Sequence, residues 1–152
     1  MNYRGSYRKL VSNAISAMLG AIEIYNKPRF AYRDEVVVVL VVNAWELLLK
    51  AIVSKSGHSI YYRKRRHEPY KTLTISDACS KALECEIWPL EVDGVAVELN
   101  LGLLVLYRNN VVHFYNEGDF GVILYSLLQT SIHNFRDVAN IERYSGDLIT
   151  SK

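Results

Sequence analysis

The hexapeptide Arg108-Asn109-Asn110-Val111-Val112-His113 sets a guanidinium five positions before an imidazole. The first is cationic at every accessible pH, and the second gains or loses a proton near neutrality. An arginine can hold a phosphate through two parallel hydrogen bonds, and a histidine can move a proton onto or off a neighbouring oxygen. Together they suffice to cut a ribose phosphodiester without a metal. Apolar and aromatic residues surround the pair, Leu104 to Tyr107 before it and Phe114 and Tyr115 after it. Each residue also has an ordinary structural use: His113 as a hydrogen-bonded core histidine, Arg108 as half of a surface ion pair.

Other side chains could support that chemistry. Asn109 could bind the phosphate or orient His113, or it could end a helix by bonding its own backbone. Glu46 could fix the Arg108 guanidinium, or pair with Lys50 four residues on, an interaction of about 0.2–0.5 kcal/mol. Arg63, Lys64, Arg65 and Arg66, with Lys71, stand against the single acid Glu68 between Ile60 and Lys71. That segment carries +4, and the net charge of +2 leaves −2 for everything else. So concentrated a charge could attract a polyanion such as RNA, or it could be a solvated loop. The Tyr115 ring could pack or stack on a base. His58, His67 and His133 lack partners at catalytic or metal-ligand spacing. Cys79 and Cys85 match no zinc signature, so neither metal nor cofactor is expected.

The elements that must position these groups read mostly as helices. From Tyr7 to Tyr25 apolar residues recur every three or four positions, ending at Asn26-Lys27-Pro28. A second segment opens on Asp34 and Glu35 and closes on Lys50, Lys55 and Gly57, charges and cap suited to a helix. Its Val36–Val42 run favours strand by propensity, but more than twenty uninterrupted residues are too long for one. We read a central, buried helix. The stretch 58–74 could be a small hairpin or an irregular excursion with the basic cluster inside it. A short helix from Ser76 to about Glu84 follows, with Ser76 or Asp77 near its cap. Residues 95–115 fit either a hairpin turning at Arg-Asn-Asn or a helix with Val97, Leu101, Leu104 and Arg108 on one stripe. Asp119 is placed to cap a long amphipathic helix running to Phe135 and beyond.

The chain has 152 residues, 50% of them hydrophobic, enough for one domain with its own core. We place that domain at 1–143 and a polar tail at 144–152. The longest apolar run, Val36–Val42, falls short of the roughly 18 residues that span a bilayer, and the N-terminus is no signal peptide. Two cysteines suit a reducing compartment, so a soluble, cytoplasmic protein with no membrane partner is expected.

Arg-(four residues)-His in a small helical domain resembles the HEPN superfamily (higher eukaryotes and prokaryotes nucleotide-binding). Ala21-Ile22-Glu23-Ile24-Tyr25-Asn26, Tyr32-Arg33-Asp34-Glu35 and Asn43-Ala44-Trp45-Glu46-Leu47-Leu48-Leu49-Lys50-Ala51 resemble a branch of it filed as a domain of unknown function. The resemblance covers the first two helices and the surroundings of the motif, and not 58–90. It implies an all-α bundle of four or five helices, a helix around Leu101–His113, and a homodimer that brings two Arg-His pairs into one cleft. It also implies metal-independent RNA cleavage in phage defence, toxin or RNA-processing settings. His113 would then take the 2′-OH proton or protonate the leaving 5′ oxygen, while Arg108 stabilises charge on the phosphorane-like transition state. Tyr115 extends the motif toward HEPN toxins whose tyrosine is adenylylated by an antitoxin, so a regulatory protein is a further candidate partner. On a regular helix five residues turn by roughly 140° and rise about 7.5 Å, which separates Arg108 from His113. Either the helix breaks at Asn109-Asn110 or the pair meets only across a dimer. The alternative is a HEPN module that binds RNA or nucleotide, or dimerises, without cutting.

Overall fold

The computed structural model describes residues 3–113 and 121–147. The described residues form five helices: α1 (Tyr3–Tyr25), α2 (Arg33–Lys55), α3 (Ile75–Glu84), α4 (Gly94–His113) and α5 (Gly121–Asp147). The protein is an all-α bundle. Its axis is α2, which packs against every other helix. The valine run takes up helix because that conformation buries it. Val37, Val38, Val41 and Val42 are fully enclosed, as are Trp45, Leu48, Leu49 and Val53 further along. An element apolar nearly all round is stable only in the centre of a core.

Averaged over its most apolar 18 residues, α2 has a mean hydropathy of 2.3 and is long enough to cross a membrane, which the uninterrupted run by itself did not indicate. In this fold 67% of that window is buried by the protein itself.

Trp45 ties the bundle together. Its indole N–H donates to the Ser131 hydroxyl on α5 at 2.8 Å. One ring contact stacks it on Trp88 at 6.4 Å, and another sets it edge-on to Phe135 at 5.4 Å. At the far end of α2, Lys55 Nζ meets Glu142 Oε2 at 3.0 Å, and the Tyr7 hydroxyl donates to the same carboxylate. This cluster, in which Tyr7 and Glu142 are buried, joins α1, α2 and α5. Burial and the Glu142 carboxylate both raise the Tyr7 phenol pKa.

Local chemistry sets the helix ends. At the end of α2, Gly57 takes φ +80°, Gly57 N–H donates to Ser54 O and His58 N–H to Val53 O, a Schellman cap. The same pattern ends α3, but with Glu86 at φ +56° in the glycine position. The α3 cap is Thr74, whose hydroxyl accepts from Asp77 N–H, and not Ser76 or Asp77. Asp77 cannot cap because its own amide is the one being capped. Asp93 Oδ1 accepts from the amides of Val95 and Ala96 and starts α4. A Cβ on Gly94 would run into Leu83 and the Trp88 ring, so that close approach requires glycine.

Three boundaries differ from the sequence reading or sharpen it. Residues 58–74 form an irregular excursion pinched by one antiparallel bridge, Tyr61 to Thr72, and not a regular hairpin. Residues 95–113 are helix throughout. α5 continues past Tyr144 to Asp147, and Lys55 bonds Ser145, so the first part of the expected tail is tied to the bundle. The proposed Asp119 cap lies outside the described residues.

Candidate functional site

α4 carries the motif. Val97, Leu101 and Leu104 turn one side of it into the core, and Asn100, 8% exposed, donates to Leu127 O at 3.1 Å, fixing α4 against α5. Arg108 follows on this inward stripe, four residues past Leu104, and is half-buried. Its Nε and one Nη donate to the neighbouring Asn109 Oδ1 at 3.3 and 3.1 Å. Asn109 therefore spends its carbonyl oxygen on the guanidinium and does not end the helix. Among the described residues Arg108 forms no ion pair with a carboxylate.

The helix runs unbroken through Asn109 and Asn110 to position 113. Of the two alternatives, the break at Asn109-Asn110 is not the one the helix takes. Positions 108 and 113 thus stand about 140° apart around one axis and roughly 7.5 Å along it. Within one chain these two positions share no face. Tyr115 lies outside the described residues.

Glu46 does not reach for Arg108. Its carboxylate bonds Lys50 Nζ at 2.6 Å, and that ammonium, only 9% exposed, also donates to Thr72 Oγ1 at 3.0 Å. The four-apart pair is the observed one. It does more than pair on a surface, since through Thr72 it fastens the 58–74 excursion to α2.

The basic residues Arg63, Lys64, Arg65 and Arg66 are all exposed and sit at the tip of that excursion. Arg63, Lys64, Arg65 and Lys71 line an open cleft of about 590 Å³ with Tyr62, Glu68 and Pro69. Lys64 Nζ lies 4.6 Å from the centre of the Tyr70 ring, and Tyr61 meets Tyr70 edge-on at 5.8 Å. Sequence reasoning identified the cations and missed the tyrosines. The signal was there, in tyrosines 61, 62 and 70 flanking the charge run.

The outward side of α4 also escaped notice. Val95, Leu99, Leu103 and Leu106 are 60%, 68%, 52% and 59% exposed and recur at spacings of four, four and three. Continued by four and three, the stripe reaches Asn110 and position 113. Leu90, Val122, Ile123 and Tyr125 are further large apolar side chains left exposed. Among the described residues, the outward face of this helix, apolar on both sides, has no partner.

An all-helical bundle with a basic excursion between its second and third helices defines the class. Within it, the chain belongs to the family described as a domain of unknown function, DUF3644, which matches residues 9–147. Comparison with curated proteins and with solved structures finds no match.

Proposed function

We propose that the protein is a homodimeric, metal-independent endoribonuclease of HEPN type, cutting RNA by 2′-OH attack with Arg108 and His113. The observation that carries this reading is the outward stripe of α4. Each of its residues is more than half exposed, and its register continues to position 113. Side chains this exposed offer on the order of 100 Å² each, so the four supply about half of the roughly 800 Å² that one partner gives a standard interface. A second copy seated along the stripe sets two His113 positions near one seam, supplying one imidazole as base and another as acid.

Arg108 supports the reading in a second way. Its guanidinium is engaged by a neutral amide, so among the described residues no carboxylate has to be displaced when it takes a phosphate. It starts from the inward stripe, and the long side chain has to swing past the last turns of α4 to reach the seam. RNA processing, a toxin role or antiviral defence in the cytoplasm, with or without a regulatory partner, would suit such an enzyme.

The unbroken helix between positions 108 and 113 favours a second reading, a dimeric HEPN module that binds RNA through the basic tip without cutting it. Incubating the purified protein with mixed RNA in excess chelator separates the two. The enzyme yields fragments ending in 2′,3′-cyclic phosphate, and Arg108→Ala and His113→Ala each stop the cutting while helicity and dimer mass persist. RNA bound and left whole establishes the module. Undiminished cutting by either variant removes the Arg-His site.

A further inference from the structure

We propose that the tip of the 58–74 excursion is a platform for an unpaired nucleic-acid strand, with a base stacked on Tyr70 and phosphates in the cleft of Arg63, Lys64, Arg65 and Lys71. This deepens the reading of the protein as one that acts on RNA, and adds what kind of strand it takes and which residues hold the bases.

The tip is built, in spite of its charge. Tyr62 N–H donates to Lys71 O at 2.9 Å and Leu73 N–H to Ile60 O at 2.8 Å, closing the neck. The Tyr62 hydroxyl bonds Asp77 and accepts from Thr74 N–H, docking the neck on the start of α3. Lys81 Nζ donates to Ser59 O at 2.8 Å, and Lys50 holds Thr72 from α2. A loop needed only as a connection has no use for four such anchors. They hold at the tip a set of like charges that repel one another, an arrangement stabilised when an anion enters.

The aromatic rings narrow the ligand. Tyr70 remains 68% exposed although Lys64 and Tyr61 both touch it, and Tyr61 is 38% exposed. A large ring held in water beside cations suits a ligand alternating flat apolar faces with negative charge. Unpaired nucleotides have that alternation, and a duplex does not, because its bases are already stacked inside. Polyphosphate would use the cations and leave the ring idle. Nothing in the platform contacts a 2′-OH by necessity, so single-stranded DNA should bind there as well as RNA.

The test uses the full-length chain carrying Arg108→Ala, so that binding is read without cutting, and a fluorescent oligodeoxythymidylate or oligouridylate followed by anisotropy. Tyr70→Ala should weaken binding about 5- to 150-fold, the usual effect of losing one stacked base, while Tyr70→Trp should hold it and show quenched indole fluorescence when the strand binds. Duplex RNA of equal length and polyphosphate should bind more weakly than the single strand. Tyr70→Ala binding within twofold of its parent, or duplex and polyphosphate binding as well as the strand, overturns the platform. Failure of the nuclease reading is separable: strand binding that depends on Tyr70, in a protein that cuts nothing, leaves the platform standing.

Discussion

Leu103→Glu is the substitution that bears hardest on the dimer. In the isolated bundle Leu103 is 52% exposed, so exchanging it on the outer side of α4 costs roughly 1 kcal/mol, the buried half of the side chain. At a two-fold seam the effect is far larger. Half of a leucine side chain is withheld from water on assembly, about 1 kcal/mol per copy. The new carboxylate must also shed its water without a partner, at least about 1 kcal/mol more. Symmetry doubles both, giving a penalty of at least about 4 kcal/mol and a dissociation constant raised close to a thousandfold. Sedimentation equilibrium over a concentration series reads that change directly, and the far-UV circular dichroism spectrum confirms that the helices persist. RNA cleavage per protomer should fall in step with the dimer fraction. A dimer that survives Leu103→Glu unchanged puts the seam elsewhere, and a monomer that cuts at full rate refutes the shared site.

Stability should fall at alkaline pH. Burial, aided by Glu98, pushes the Cys79 thiol from 9.0 up to about 11. Its folded value lies above its unfolded one, so its contribution is complete below about pH 9 and is lost as the pH rises toward 11, on the order of 2–3 kcal/mol. Tyr7, raised chiefly by burial, acts in the same direction at higher pH. Urea midpoints between pH 8 and 10.5 should decline, less steeply in Cys79→Ala, and equal slopes would count against the assignment. Glu86→Gly should stabilise the fold by about 0.5–1 kcal/mol by relieving the left-handed backbone at the α3 cap, and a lowered melting temperature would contradict this. Glu46→Gln should lose about 1.5–3 kcal/mol because the nearly buried Lys50 loses its carboxylate. Cleavage per folded molecule should not change, and an inactive but stable Glu46→Gln would return Glu46 to the service of Arg108.

The sequence by itself determined the helices whose signals are local. Periodic apolar residues, acids at the start of α2, Gly57 at its end and the concentrated charge of 63–66 are all interactions between neighbours in the chain, and they are legible as such. The position of the Thr74 cap was harder, since Thr74, Ser76 and Asp77 all had side chains able to cap and only the direction of the chain leaving the neck chooses among them. Tertiary structure decided the rest. Whether 95–113 forms helix or hairpin depends on the α2 and α5 surfaces that bury Val97, Leu101 and Leu104 and accept the Asn100 hydrogen bond. Glu46 pairs with Lys50 because Thr72 arrives from a distant loop to complete the ammonium's shell. The apolar stripe left exposed on the far side of α4 follows from how that helix is seated. Spacing along a chain fixes angles around a helix, but only packing decides which of those angles faces the core and which is left for another molecule.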